Sequence, residues 1–316
     1  MISRDQIQSA AEQIARHIRD TPVLELPRGT LGIDATLVLK LENMQASGSF
    51  KIRNAFHSVL SNPRAAQAGL VAASGGNLGI AVATVARILG LRARVYTPAV
   101  TGDAKRGVLR DLGAEVLIEG DVYAEAREAA LSDAETNGRL MVHAFESAES
   151  IVGAGTLGPE IEAQAQPDLI ALSVGGGGLA AGVASWFGER AQIVCAEPAE
   201  APTLHNALAH GQPSDVATGG LAADALGCRR IGELAFKTLR VGKTESRLVS
   251  EAEIKLALRD IWGVLRIAAE PAAAVALAGV RALPPEMVNG KRIAVLICGG
   301  NVDPSLVARV NEERGS

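Results

Sequence analysis

Leu169-Ile170-Ala171-Leu172-Ser173-Val174 runs directly into Gly175-Gly176-Gly177-Gly178, and Leu179 then opens a helical pattern. The apolar run reads as a buried strand and the glycines as its turn into a helix. Four glycines in a row give up much conformational entropy, which makes sense where their amides must converge on a phosphate. A strand, a ligand-binding turn and a helix form the repeating unit of an α/β protein with a parallel sheet.

The same alternation extends on both sides. Downstream lie a strand at Ile193 to Ala196, helices at Glu251 to Trp262 and Pro271 to Leu283, a strand at Ile293 to Ile297 and a last helix from Pro304. Residues 197–245, rich in Ala, Gly and Pro, carry the weakest pattern. Upstream, Ser3 to Gln6 has capping-box spacing, and Ile7, Ala10, Ile14 and Ile18 mark one face of a first helix that Pro22 should end. A strand follows at Leu37 to Glu42. Next come a strand at Leu70 to Ala73, a helix over Asn77 to Leu89, a strand at Ala93 to Tyr96 and a helix from Asp103 to Leu112. A strand at Val116 to Ile118, a helix over Val122 to Thr136 and a short strand at Leu140 to Val142 close this series; a helix near Gly158 to Gln164 precedes the glycine run. Two such series imply an α/β fold with two lobes, each a mainly parallel sheet flanked by helices, and a ligand in the cleft beyond the strands' carboxyl ends.

Two further loops fall at such ends. In Ala73-Ser74-Gly75-Gly76-Asn77-Leu78-Gly79 the glycines permit close approach, and the helix start offers free amides to an anion such as a carboxylate. Leu296-Ile297-Cys298-Gly299-Gly300-Asn301 places a thiol at the rim of the same crevice. A fourth stretch, Ser47-Gly48-Ser49-Phe50-Lys51-Ile52-Arg53-Asn54, sets a lysine in the first turn of a helix. There the positive end of the macrodipole disfavours an ammonium and helps expose a neutral amine, useful for condensing with an aldehyde.

Composition narrows the function. The chain has 316 residues and is 48% hydrophobic, ample for two modest cores. A formal charge of −4, a pI near 5.8 and 3% aromatics argue against a nucleic-acid surface. Three widely spaced cysteines, Cys195, Cys228 and Cys298, give neither a disulfide framework nor a zinc signature. No run reaches the length of a membrane span and the N-terminus is polar, so a soluble cytoplasmic enzyme without an appended regulatory module is expected. No GKS or GKT follows the tetraglycine loop, which excludes a Walker loop. Glu197, displaced from the place of a ribose ligand, leaves a nucleotide-binding oxidoreductase as an alternative from another class.

Lysine in SFK, then SGGN, the tetraglycine loop and a C-terminal CGGN, in this order and spacing, resemble the fold-type II pyridoxal-phosphate enzymes, specifically the serine/threonine dehydratase and serine racemase group. Ile151-Val152-Gly153-Ala154-Gly155-Thr156, before a helix, is similar to that family's AGQGT segment, and Glu270-Pro271 to its EP before a late helix. The resemblance spans nearly the whole chain. It implies pyridoxal 5'-phosphate as cofactor, bound by Lys51 as a Schiff base, with Gly175, Gly176, Gly177, Gly178 and Leu179 around the phosphate and Phe50 and Glu270 nearby. Asn77 is implied to bond the ring hydroxyl, and Cys298 to face the ring nitrogen. Ser74, Gly75, Gly76, Asn77 and Leu78 are implied to receive the substrate carboxylate. Residues 1–66 and 144–316 would form the large cofactor lobe, and 67–143 a small lobe closing over an amino-acid substrate. A homodimer or higher homo-oligomer is expected.

Two departures shape the reading. The family often has S-S-G-N-H-G, whereas here Gly75 and Leu78 replace the second serine and the histidine. The racemase branch's cation pattern appears as Glu197, Ala201 and Thr203, one carboxylate short for Mg²⁺ or Ca²⁺. The expected activity is β-elimination from an L-β-hydroxy amino acid, threonine or serine first, giving a 2-oxo acid and ammonia. The alternatives within the class are an amino-acid racemase and a dehydratase for a bulkier or acidic β-hydroxy amino acid.

Overall fold

The computed structural model describes residues 2–312. Among these residues ten strands form two sheets: β1 (Val23–Leu26), β2 (Thr36–Leu41), β3 (Leu70–Ala73), β4 (Ala93–Thr97), β5 (Glu115–Ile118), β6 (Leu140–Met141), β7 (Leu169–Ser173), β8 (Gln192–Pro198), β9 (Thr244–Val249) and β10 (Arg292–Ile297). The larger sheet has the order β1-β2-β10-β7-β8-β9, parallel apart from β1; the smaller is β5-β4-β3-β6, parallel throughout. Parallel strands covered by helices are buried on both faces, and β3 and β7 are buried along their whole lengths.

The alanine-rich helix Pro271–Arg281 shows what permits this density. Residues 271–280 are all buried, and its Gly279 lies against Ala196 of β8 so closely that a β-carbon there would stand 2.5 Å from the alanine methyl. The helix Lys51–Ser61 packs against both Asn77–Leu89 and Ala148–Gly155, and its Ile52, Phe56 and Val59 join the core around the smaller sheet. Lys51 thus starts an element lodged between the two sheets.

Several elements depart from the sequence reading. The first α-helix, with its expected capping box, ends at Ile14 and passes into a 3₁₀ turn at Ala15–His17, well before Pro22. Ile151 to Gly155 do precede a helix, Leu157–Ala165, but are themselves helical, lying within Ala148–Gly155. The start of that helix is capped by the Ser147 hydroxyl, which accepts from Ser150 N. Its glycines are there for packing: a β-carbon on Gly153 would stand 2.8 Å from the Arg53 carbonyl of the Lys51 helix. Residues 197–245 hold the short helices Thr203–His210, Ala223–Leu226 and Glu233–Leu239 and the start of edge strand β9. Among the described residues no helix is long and apolar enough to cross a membrane.

Candidate active site

Because β2, β7 and β10 are parallel neighbours, their carboxyl ends lie on one side of the sheet, and the loops that follow them meet there. The lysine loop is tied to the last of these: Ser49 bridges Gly299, Phe50 N donates to the Cys298 carbonyl at 3.1 Å, and Gly300 N donates to the Gly48 carbonyl at 2.9 Å. Lys51 is the first residue of its helix, half-buried, with Nζ donating to the Ala144 carbonyl at 2.8 Å and lying 5.0 Å from the Phe50 ring centre. Its pKa is lowered to about 8. The main cause is burial, opposed by the neighbouring Cys228 and Cys298. The helix macrodipole acts in the same direction, but loss of solvent is the dominant effect.

The tetraglycine loop is enclosed on its outer sides. A β-carbon on Gly176 would overlap the Phe145 ring, and one on Gly175 would stand 3.1 Å from Leu226 Cα. Gly177 has φ +83°, a left-handed conformation that favours glycine. The carbonyls of this loop are all engaged: Gly175 accepts from the Thr203 hydroxyl at 2.5 Å, Gly176 from Gly232 N at 3.1 Å and Gly177 from Ala181 N at 2.9 Å. No backbone carbonyl among the described residues receives the amides of Gly177 and Gly178, at the start of the Gly178–Phe187 helix. Amides free at a helix N-terminus, beside a buried amine, fit a phosphate-bearing aldehyde. Leu179 follows, buried on the core side.

Across the cleft, Asn77 heads the Asn77–Leu89 helix, which no side chain caps. Its Nδ2 donates to Glu270 Oε2 at 2.7 Å, and its Oδ1 accepts from Asn301 Nδ2 at 2.7 Å. Asn301 N in turn donates to Glu270 Oε1 at 2.8 Å. Burial pushes the Glu270 carboxyl above its ordinary range, against the pull of the Asn77 and Asn301 hydrogen bonds. Cys298 is 6% exposed, 3.7 Å from Ser173 Oγ, and burial pushes its thiol to about 12. Ser74 Oγ accepts from Gly76 N at 3.2 Å, holding the loop's turn. Leu78 packs in the smaller sheet's core and also lines a small hollow with Ala73, Tyr123 and Phe145.

Glu197 and Thr203 are fully buried. Glu197 accepts from Leu204 N at 2.7 Å and His205 N at 2.8 Å and lies 3.1 Å from the Thr203 hydroxyl oxygen, while Ala201 lies in the turn before that helix. Burial raises the Glu197 pKa to about 7 despite these donors. Among the described residues no group of three or more His, Cys, Asp or Glu could hold a metal.

Residues 14–299 match the family model of the pyridoxal-phosphate dependent enzymes. The chain belongs to that family. Pyridoxal phosphate is therefore its cofactor, and the donors around Lys51 suit it. An L-threonine ammonia-lyase of Geobacter sulfurreducens is 34% identical over 97% of this chain and 77% of its own length. A threonine deaminase from T.th. superposes with a TM-score of 0.89 at 31% identity, covering 96% of this chain and 99% of its own. Maize serine racemase gives a TM-score of 0.89 at 25% identity over 98% and 97%. This pyridoxal-phosphate enzyme is accordingly a carbon–nitrogen lyase of the dehydratase type. Sequence reasoning passed over Ala144 as a partner of the site, because a carbonyl carries no residue signature, and it read Thr203 only as a missing carboxylate in a cation pattern, not as a donor to the Gly175 carbonyl. It also passed over Asp224, whose ion pair with Lys105 joins the helices Ala223–Leu226 and Asp103–Asp111.

Proposed function

We propose that the chain is an ammonia-lyase for L-threonine and L-serine, with Lys51 as attachment point for the cofactor and as the base that takes the substrate α-proton. The observation that carries this reading is the Lys51 amine itself: half-buried, with a pKa lowered to about 8 by loss of solvent, and 2.8 Å from a carbonyl that can accept from its ammonium form. Such an amine is partly neutral near neutral pH and regains a hydrogen-bonded rest position once it has taken a proton. Pyridoxal phosphate, when bound, supplies the electron sink that stabilises charge developing on the α-carbon.

The other roles follow from the donors. Gly177 and Gly178 offer amides to the phosphate, and the uncapped start of the Asn77–Leu89 helix, with Ser74 to Leu78, takes the substrate carboxylate. Asn77 has one amide hydrogen left for the ring hydroxyl beyond that given to Glu270. Cys298, with its pKa near 12, stays a neutral thiol and puts no negative charge beside the ring nitrogen. Residues 67–143 act as the lobe that closes over the substrate, and the enzyme works as a homo-oligomer.

Gly75 offers no acid or base on the face opposite Lys51, so the reaction ends in elimination, releasing a 2-oxo acid and ammonia, rather than in racemisation. A panel of β-hydroxy amino acids scored by 2-oxo acid release tests the reading. L-threonine or L-serine should rank first, and a bulky or acidic β-hydroxy amino acid ranking first would overturn it.

A further inference from the structure

In a planar trans peptide the carbonyl and the next residue's amide point in opposite directions. Anchoring the carbonyls of Gly175, Gly176 and Gly177 therefore aims the amides of Gly176, Gly177 and Gly178. Two of the three anchors are backbone amides, Gly232 N and Ala181 N, and follow from the path of the chain. The third is a side chain: the Thr203 hydroxyl, fully buried, donates to the Gly175 carbonyl at 2.5 Å. The Gly176 amide itself lies against the Cys228 thiol. We infer that Thr203 is a positioning residue for cofactor binding, its hydroxyl fixing the Gly175–Gly176 peptide and with it the turn that presents the free amides of Gly177 and Gly178 to the phosphate.

Glu197 holds the threonine in place. Its carboxylate receives the first free amides of the Thr203–His210 helix, Leu204 N and His205 N, and so fixes that helix start against the glycine loop. It also lies 3.1 Å from the Thr203 hydroxyl, but a hydroxyl has one proton, and the shorter contact with Gly175 takes it. The link runs from the end of β8 through Glu197 and Thr203 to the turn after β7, all inside one lobe and without contact with the substrate loop.

A purely structural threonine would affect stability but not the preference for a phosphorylated ligand. The test is the affinity of apoenzyme for pyridoxal phosphate and for pyridoxal, which lacks the phosphate, each read by the absorbance of the bound form. Losing one hydrogen-bond orientation to a charged group should reduce affinity about tenfold or more. Thr203→Val should therefore lower the pyridoxal phosphate to pyridoxal affinity ratio by about tenfold, while Thr203→Ser keeps it within about threefold of wild type. If Thr203→Val does not fold, Thr203→Ala, which leaves room for a water to take the Gly175 carbonyl imperfectly, should show the same loss in reduced degree. An unchanged ratio in the folded Val or Ala variant, or an equal loss in the Ser variant, would overturn the assignment. The readout is independent of which amino acid is the substrate, so it stands or falls apart from the ammonia-lyase reading.

Discussion

The methyl carbon of Thr101 lies 2.5 Å from where a β-carbon on Gly75 would stand, and its hydroxyl oxygen 3.0 Å away. The space that a side chain at residue 75 would need is already filled from the loop after β4. Glycine at this place in the loop after β3 is thus matched by its neighbour.

The stereochemical outcome follows. Chiral chromatography of L-serine incubated with the enzyme should show pyruvate with negligible D-serine; D-serine forming as fast as pyruvate would reverse the assignment to a racemase. Gly75→Ser alone requires the Thr101 side chain to move, a strain of about 1–3 kcal/mol. Gly75→Ser combined with Thr101→Ala should fold better than the single variant and introduce measurable D-serine formation.

Removing the amine should abolish the lysine-linked absorbance of the cofactor and lower turnover by about a thousandfold or more in Lys51→Ala. The wild-type apoenzyme carries a further signature in its pH dependence. Neutral amine is the form that condenses, and with a pKa lowered to about 8 its fraction rises as pH rises through 8 and saturates above. The rate of cofactor uptake should climb from about pH 7 to about pH 9 and level off above that. A climb continuing to about pH 10 would show an amine with the ordinary lysine pKa.

Chelation should change activity by less than about twofold, because Thr203 supplies no carboxylate beside Glu197, whose oxygens already accept two backbone amides. Loss of activity in EDTA, restored by Mg²⁺, would refute this.

Arg53, two residues beyond Lys51, is fully buried and forms paired contacts with Glu42 and Glu160 between 2.7 and 2.8 Å. Removing one member of such a buried set strands the opposite charges. Arg53→Ala should destabilise the protein by about 3–5 kcal/mol, read as a lowered denaturation midpoint. A change below about 1 kcal/mol would mean that the network is dispensable.

The sequence was most legible where function constrains the backbone. Runs of glycine after apolar strands marked all three loops, and the periodic segments Asn77–Leu89 and Glu251–Gly263 announced their helices. It was least legible where packing alone decides. The Ala148–Gly155 helix is interrupted by Gly153, in close contact with the Lys51 helix, and by Gly155, packed against Ile7 and Gly182, so propensity gave no sign of it. Strand β9 alternates charged and polar residues at a sheet edge, where no apolar run is required. The Asn77, Glu270 and Asn301 cluster joins residues from distant parts of the chain, and only the fold shows that these three share hydrogen bonds.

The larger sheet places its last strand in its middle: β10 pairs with β2 on one side and β7 on the other, and the turn after it is stitched to the lysine loop. During translation Lys51 emerges early, yet its surroundings cannot assemble until the Cys298 to Asn301 turn has left the ribosome. The earlier strands must meanwhile wait with a gap between β2 and β7, the stage at which the unfinished chain is most exposed to aggregation.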